Sequence, residues 1–361
     1  MIKRAKDLYR QYERWVPIGT FICGFIFDTL ILTRIDELKT IIQQAAYLVI
    51  SGGLIGIELM EGISEIHPPR ILKKVWPYRE AVLHFLLGTL LNSYTIFFFK
   101  SSSALSSFIF IILLVVLLML NEFKRFGKSQ TQVHVAFWSL CLISFLISLA
   151  PIVLGFIGTL PFLCAIMFSG LVLYSLYKWF RPKLVTRPRL FRTHVVYPYL
   201  GIQALITVLY FAHLIPPVPL SVTYLGIFHG VEKREDGYAL TFTRSKWRFW
   251  EHGDQTFYAR PGDSIYCFSQ IFSPSRFKDQ LQIRWLYKDA KRGWLPADAI
   301  PIQVLGGREE GYRAVTKKSN YQPGEWRVQV ETRDNREIGR IGFTVVLDES
   351  KIDRVAQSVI R

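Results

Sequence analysis

The six residues 215–220, Ile-Pro-Pro-Val-Pro-Leu, mark the point at which the pattern of the chain changes. Before them, the apolar residues form runs of about 20, the length that an α-helix needs to cross a bilayer. After them, apolar and polar residues alternate in short stretches separated by turn residues, which is typical of β-strands. Because proline cannot continue a helix, we predict a linker at 216–220. It would join a polytopic membrane domain, residues 1–215, to a soluble β domain, residues 221–347.

Composition supports this division. Of the 361 residues, 50% are hydrophobic and 20% are charged, whereas soluble domains carry about 25% charged residues. Such a chain is too apolar to be intrinsically disordered, and a purely soluble enzyme is not expected. Cys267 is the one cysteine of the β domain, so it has no partner there for a disulfide, and no Cys-x-x-Cys spacing indicates zinc. We expect no metal and no cofactor.

Seven apolar runs are long enough to be transmembrane helices. They lie at 16–32, 41–60, 81–99, 104–120, 133–149, 159–178 and 196–214. Residues 150–161 leave one border open, because they fit either a tight turn or part of a longer span. Lys and Arg number 18 in the connections on one side of these spans and 3 on the other. Basic loops remain in the cytoplasm, so the N-terminus is predicted to be cytoplasmic and the β domain to lie outside.

The net charge of +16 follows from the same arrangement. Residues 1–215 contribute +11 and residues 216–361 contribute +5. Most of the excess therefore lies in loops that would face anionic headgroups. A basic protein can also bind nucleic acid, but the topology already accounts for the charge. Membrane lipid is an expected partner, and nucleic acid is not.

Five polar residues lie in or beside the predicted spans: Asp28, Glu58, Glu61, His84 and Asn92. A charge at the centre of a membrane helix costs about 2.5–3.5 kcal/mol, so such residues are candidate functional sites. Most of them lie near span ends, within reach of headgroups or water, whereas Asn92 lies near mid-depth and can bond across helices. Structural roles are one interpretation. The sharper hypothesis is a cytoplasmic-side cluster of Glu58, Glu61 and His84 that relays protons or holds a headgroup.

Beyond residue 220 the period-two stretches predict seven or eight strands. Alternation places Trp285 in the core, and Pro323-Gly324 and Asp334-Asn335 predict the turns at the two ends of one strand. Strands of this number and spacing predict an all-β, immunoglobulin-like sandwich. Apolar residues at helical spacing in the tail, residues 348–361, predict a short helix.

Seven short stretches of the β domain form a specific combination. They are IPPVPL (215–220), LGIFHGVE (225–232), PGDSIYCFSQIF (261–272), IRWLYKD (283–289), GGREEGYRAVTKK (306–318), PGEWRVQVET (323–332) and IGRIGFTV (338–345). Together they resemble the domain of unknown function 2914, which occurs in bacterial membrane proteins. The resemblance implies a bacterial envelope protein, with the helices in the inner membrane and the β domain in the periplasm. It implies no catalytic residues.

One segment of the β domain, residues 306–313, combines residue types that bind anions and rings. Glycines allow backbone N–H groups to approach a ligand, and arginines bind carboxylate or phosphate. Tyrosine can stack on a sugar or a base. The ligand-binding candidates are Gly306, Gly307, Gly311, Arg308, Arg313 and Tyr312. The alternative is a bent strand connection with surface arginines, because a glycine in a strand often marks only a bulge.

The β domain contains no G-x-S-x-G, no H-E-x-x-H, and no His and carboxylate at metal-binding spacing. We therefore expect a non-enzymatic inner-membrane protein whose outer sandwich binds an envelope component. That component would be a glycan, a lipid headgroup or a membrane protein partner, and Trp247, Trp250 and Trp294 would suit a glycan. One alternative is a lipid or small-solute carrier with its site among the spans. A membrane-anchored enzyme acting on an envelope polymer is a further alternative.

Overall fold

The structure is a computed structural model. It describes residues 34–64, 76, 79–102, 112–114, 116, 130–183, 188–245, 247–248, 250–308, 310–350 and 354–361. Within these ranges the chain divides into two compact units. The helical unit contains the long helices before Ile215. The β unit consists of Pro216–Arg361 together with Lys100–Ser106 and Pro151–Gly158.

Five helices in the described part of the chain are long and apolar enough to cross a membrane. They are α1 (Leu38–Ser64), α2 (Arg79–Lys100), α3 (Gln130–Leu154), α4 (Thr159–Phe180) and a composite helix in which α5 (Pro188–Phe191) continues through a π-helical turn (Arg192–Val196) into α6 (Tyr197–Phe211). The predicted number of seven is therefore corrected to five for the described residues. The predicted span at 16–32, with its candidate Asp28, lies outside them, and so does most of the span at 104–120.

Residues 150–161, where the sequence left a span border open, contain both a longer helix and a tight turn. α3 runs through Pro151 to Leu154, and α4 begins at Thr159. The four residues between them form a tight turn in which Gly155 has a φ of +82°. A Cβ at Gly155 would lie 2.8 Å from the carbonyl oxygen of Arg276, so glycine is required by both the backbone angle and the close approach.

The β unit is a β-sandwich with eleven strands among its described residues. They are β1 (Ser221–Phe228), β2 (Gly230–Arg234), β3 (Gly237–Phe242), β4 (Thr256–Ala259), β5 (Ile265–Phe272), β6 (Lys278–Asp289), β7 (Gly293–Leu305), β8 (Tyr312–Lys318), β9 (Gly324–Glu331), β10 (Glu337–Leu347) and β11 (Gln357–Ile360). Their orders are β1-β5-β8, β4-β10-β9-β6-β7 and β11-β3-β2. The sequence predicts fewer strands, because β2, β4 and β11 are too short for a period-two pattern.

The core of the β unit lies where the sequence places it. Trp285 on β6 is fully buried, and it is paired in register with Val328 on β9, which is also fully buried. The Trp285 ring meets Phe343 of β10 edge to face, with 6.1 Å between centroids. Alternation along these three strands turns one face of the sheet inward. The predicted turn at Asp334-Asn335 is also confirmed, since it joins β9 to β10 in an antiparallel pair.

The prediction of a helix in the tail is wrong where the tail is described. Residues 357–360 form β11, which pairs antiparallel with β3, with Val359 opposite Leu240. β3 pairs with β2 on its other side. The tail therefore satisfies the backbone groups of an edge that would otherwise remain open, and this pairing outweighs the helical spacing of its apolar residues.

The position of Cys267 on β5 leads to a prediction about the reactivity of its thiol. This thiol is fully buried, and burial raises its pKa to about 12. Because the thiolate is the reactive form, we expect alkylation at pH 7 to be roughly 10³-fold slower than for an exposed thiol. Mass spectrometry of the labelled peptide, before and after denaturation, measures the difference. Equal labelling in both states would contradict the burial.

Candidate binding site on the β unit

The loop between β3 and β4, residues 243–255, is named the aromatic loop; residues 246 and 249 within it are not described. Its ends are tied together by Asp254, which is 1% exposed. The Asp254 carboxylate accepts hydrogen bonds from the backbone N–H of Thr243 at 2.9 Å and of Arg244 at 2.8 Å, and from the Thr243 hydroxyl at 3.2 Å. These bonds close the loop at its base, because removing the carboxylate would leave buried donors without acceptors.

Gly253 fixes the returning end of the aromatic loop against β1. Its φ is +77°, and a Cβ at this position would lie 1.9 Å from the carbonyl oxygen of Ile227. The backbone N–H of Ile227 donates to the carbonyl of His252 at 3.2 Å, and the N–H of Asp254 donates to the carbonyl of Ile227 at 2.7 Å. Only glycine allows this approach, which brings His252 beside β1.

His229 and Asp254 form a pair that resembles a catalytic base with its orienting carboxylate. Nδ1 of His229 lies 2.7 Å from Asp254 Oδ2. The imidazole stacks on Phe257 with 4.0 Å between ring centroids, and its Nε2 lies 3.3 Å from the carbonyl oxygen of Tyr258. Because Nε2 faces a carbonyl and not a hydroxyl or thiol, this arrangement offers the pair no nucleophile to activate. Its role is to support the base of the aromatic loop.

Tyr224 of β1 lies between an imidazole and a guanidinium. The Tyr224 and His252 rings stack with centroids 4.9 Å apart, and the Arg361 guanidinium lies 4.0 Å from the Tyr224 centroid. Burial raises the pKa of the Tyr224 hydroxyl, although the charges of Arg361 and Arg244 act in the opposite direction. The hydroxyl is therefore a neutral hydrogen-bonding group at pH 7.

A cleft of about 500 Å³ opens among β1, the aromatic loop and β10. We name it the aromatic cleft, and its defining side chains are Tyr224, Trp250, His252, Gln255 and Arg340. Arg340 is held in place by Glu337, whose carboxylate accepts hydrogen bonds from the guanidinium Nε and Nη2. The third guanidinium nitrogen, Nη1, remains for a ligand. The volume lies within the range of small-molecule sites, about 300–1,000 Å³, in which a few polar groups orient the ligand.

Two exposed tryptophans belong to the same loop. Trp247 is 67% exposed and Trp250 is 56% exposed, and their rings meet edge to face with 5.5 Å between centroids. The Arg248 guanidinium lies 5.8 Å from the centroid of Trp247. The structure thus brings together two of the tryptophans that the sequence suggests for a carbohydrate platform. Trp294 is on β7, where the Arg327 guanidinium covers its ring at 4.0 Å.

Sequence reasoning did not single out Tyr224, His252 or Arg340. They come from three elements that lie far apart along the chain, and no local pattern links them. The sequence feature that could have indicated this site is Gly253-Asp254, which directly follows a segment rich in tryptophan and arginine. Glycine and aspartate are residues that close loops through positive φ and side-chain hydrogen bonds.

The predicted glycine-rich segment, residues 306–313, is shaped by its own backbone contacts. A Cβ at Gly306 would lie 1.6 Å from the carbonyl oxygen of Pro274, and a Cβ at Gly311 would lie 2.8 Å from that of Ile271. The N–H of Gly306 donates to the carbonyl of Phe277 at 2.8 Å. Gly307 has a φ of +91°. Close packing of the chain therefore explains these glycines, and the Gly306 amide is already engaged.

The side chains of this segment are brought together only in part. The Arg308 guanidinium lies 5.6 Å from the ring centroid of Tyr312, while that ring also packs against the core. Arg313 forms an ion pair with Glu310. Arg308 is exposed and Tyr312 is half-buried, and this pair is a second candidate contact surface.

In the helical unit, two of the predicted polar residues meet a histidine that sequence reasoning missed. The Glu58 carboxylate accepts a hydrogen bond from the Thr131 hydroxyl at 2.7 Å and lies 3.1 Å from His134 Nδ1. The His84 and His134 rings approach edge to face with 6.1 Å between centroids. A polar cluster thus connects α1, α2 and α3.

The remaining intramembrane candidates lie apart from that cluster. Asn92 is 4% exposed and follows His84 by eight residues on α2, which is about 12 Å along the helix axis. Glu61 lies on α1, three residues after Glu58. Within the described ranges, no three His, Cys, Asp or Glu side chains are arranged to hold a metal ion.

Comparison with known proteins gives one family match. A family model described as "Protein of unknown function (DUF2914)" matches residues 278–345, which confirms the resemblance over that part of the β unit. No curated protein matches.

Solved structures match about a third of this chain. An immunoglobulin-like protein from Pseudomonas aeruginosa is 14% identical over 36% of this chain and 98% of that chain, with a TM-score of 0.22. A β-glucosidase of saponin metabolism from intestinal bacteria is 11% identical over 35% of this chain, with a TM-score of 0.21. A β-glucosidase from Listeria innocua is 12% identical over 30%, with a TM-score of 0.19. The match spans 16% of each of these β-glucosidase chains.

Proposed function

We propose that the chain is an integral membrane protein whose β unit binds an acidic glycan of the cell envelope in the aromatic cleft, without turning it over. The observation that carries the proposal is the cleft itself. It combines aromatic rings with a guanidinium that is held in place by a carboxylate. In this view the helices anchor the unit in a bacterial inner membrane, with the β unit in the periplasm.

The side chains of the cleft suit the two parts of such a ligand. The apolar face of a sugar ring packs on aromatic side chains such as Trp250 and His252, which are both exposed. Guanidinium groups bind carboxylate or phosphate through short, charge-assisted hydrogen bonds, and Arg340 presents Nη1 for one. Gln255 offers an amide for sugar hydroxyls. Arg340 keeps its ion pair with Glu337, and a neutral glycan would add no charge-assisted hydrogen bond to its Nη1, so the proposal favours an acidic glycan.

Binding without catalysis is supported by the engagement of the acid–base groups. In the described part of the β unit, His229 is held between Asp254 and the carbonyl of Tyr258, and His252 is stacked on Tyr224. Glycoside hydrolysis requires two opposed carboxyl groups about 5–10 Å apart. The side chains that define the cleft include no carboxylate.

The proposal is tested with the full chain, purified in detergent and immobilised. It is offered an acidic polysaccharide (polygalacturonate), a neutral one (dextran) and purified cell-wall sacculi. We expect retention of polygalacturonate and sacculi, release by added galacturonic acid, and no retention of dextran. A folded protein, with Cys267 protected from alkylation, that retains neither acidic material would overturn the proposal.

The proposed orientation makes its own prediction. Alkaline phosphatase fused after Arg361 should be active in a bacterial host, because that enzyme folds only in an oxidising compartment. A fusion in the basic connection at 61–80 should be inactive, because positively charged loops remain in the cytoplasm. Activity from the second fusion and none from the first would reverse the orientation.

A second candidate function, a carrier with its site among the helices, is favoured by the cluster around Glu58. Ionisable groups that lie between apolar helices are candidate sites for protons or solutes. If the cluster carries a proton or solute, Glu58→Gln should abolish a flux in reconstituted vesicles and leave glycan retention unchanged. Solute and proton flux assays on both proteins distinguish the two functions, since unaffected flux would exclude a role of Glu58 in transport.

A further inference from the structure

We propose that Trp247 and Trp250 form a docking surface for the headgroup region of an anionic phospholipid bilayer. Both side chains are more than half exposed, although they are large and apolar. Their edge-to-face contact joins them into one surface. Exposed apolar groups that cluster in this way mark interaction sites. Tryptophan in particular favours the interface between lipid and water, because its ring is apolar and its N–H is polar.

The charges around the pair suit an anionic partner. The aromatic loop contains three basic residues, Arg244, Lys246 and Arg248, against Glu251 and the buried Asp254. Arg248 pairs with Glu251 at 3.4 Å. Arg244 donates from Nη1 to the carbonyl of Arg248, which holds its side chain against the loop backbone. Basic side chains beside interfacial aromatics add attraction to anionic lipid.

The loop is also held ready for such a contact. Its base is closed by Asp254 and its returning end is pinned by Gly253. A loop that is ordered before binding loses less conformational entropy when it docks. The two tryptophans therefore form a preformed surface.

The membrane anchoring of the proposed function supplies a bilayer as the partner. Ser221, where β1 begins, follows Phe211 at the end of α6 by ten residues, which span at most about 35 Å when fully extended. Tyr224, three residues further on, stacks on His252 of the loop. The segment before β1 therefore links the β unit to a helix that is long enough to cross a membrane. The inference rests on the membrane anchoring of the proposed function and not on glycan binding, although Trp250 belongs both to this surface and to the aromatic cleft.

The test places a bimane label on the full chain in vesicles of phosphatidylcholine and phosphatidylglycerol. The label is attached to Trp247→Cys or, as a matched control, to Arg292→Cys, an exposed position in the turn between β6 and β7. Cys23, Cys141 and Cys164 are replaced by alanine, and the protection of Cys267 from alkylation reports that the β unit is folded. If Trp247→Cys exposes Cys267, the label is placed on Ser245→Cys, which is also exposed. Quenching is measured with spin-labelled lipid and with aqueous iodide.

We expect spin-labelled lipid to quench the loop label at least about threefold more than the Arg292→Cys label, and iodide to show the opposite order. Vesicles without phosphatidylglycerol, or high salt, should weaken the lipid quenching, because exposed charges are screened. Equal lipid quenching at both positions, or full access of iodide to the loop, would overturn the docking proposal. Unchanged quenching without phosphatidylglycerol would overturn its charge dependence. Loss of glycan retention alone would leave these results unaffected.

Discussion

Replacement of Asp254 by alanine should lower the free energy of unfolding of the β unit by about 3–5 kcal/mol. The carboxylate is 1% exposed and accepts hydrogen bonds from Thr243 and Arg244 in addition to its contact with His229. Alanine would leave all of these donors buried without an acceptor, which costs far more than the loss of a surface ion pair. The aromatic loop would open at its base, so glycan retention should also fall.

The measurement is the denaturant dependence of Cys267 alkylation, which reports unfolding of the β unit in the full chain. Asp236→Ala is the matched control, because Asp236 is an exposed aspartate in the turn between β2 and β3. Its effect should remain within about 0.5 kcal/mol. If the two variants unfolded at the same denaturant concentration, Asp254 would not close the loop as described.

Gly306→Ala is the second substitution with a large expected effect, about 3 kcal/mol or more of lost stability. The added Cβ would lie 1.6 Å from the carbonyl oxygen of Pro274 and 3.0 Å from the side chain of Phe277. The first neighbour is backbone, so the chain itself has to move, and the hydrogen bond from Gly306 N–H to Phe277 would be lost with it.

Substitutions at the two following residues, Gly307 and Arg308, provide controls with smaller expected effects. At Gly307 the nearest atom to an added Cβ is the carbonyl oxygen of Ser275, at 3.3 Å, so Gly307→Ala should cost only the backbone strain of a positive φ, about 1 kcal/mol. Arg308 is exposed, and Arg308→Ala should change stability by less than about 0.5 kcal/mol. Cys267 alkylation in denaturant compares all three variants. Equal stability of Gly306→Ala and Gly307→Ala would contradict the close approach at Pro274.

The fold could be read from the sequence wherever a pattern is long. The apolar runs of α1 to α4 and the alternation around Trp285 each repeat over enough residues to specify an element and its buried face. The patterns do not predict an element that is short, or one whose conformation is set by the strand with which it pairs. The tail has the spacing of a helix, yet β11 forms because β3 offers an open edge.

The aromatic cleft could not be read from the sequence, because it exists only after the sheets have packed. Tyr224 and Arg340 are more than a hundred residues apart in the chain. They meet where β1 approaches β10 at Gly339, at which a Cβ would lie 2.8 Å from Val222. Composition alone favoured residues 306–313, where glycine and arginine are concentrated. Those glycines allow another segment of backbone to pack closely against them. A sequence does not distinguish a glycine that accommodates backbone from one that accommodates a ligand.

The central claim, that the aromatic cleft holds an acidic glycan, is tested most directly by comparing two double variants of the full chain. We measure the retention of polygalacturonate by His252→Ala/Arg340→Ala and by Arg308→Ala/Tyr312→Ala, with Cys267 alkylation as the check on folding. Loss of a charge-assisted hydrogen bond and an aromatic contact should weaken binding at least about tenfold in the first variant. The second variant should bind within about twofold of the unmodified chain. Undiminished binding by the first variant would contradict glycan binding in the aromatic cleft. If the second variant lost binding at the same time, the site would lie at Arg308 and Tyr312 instead.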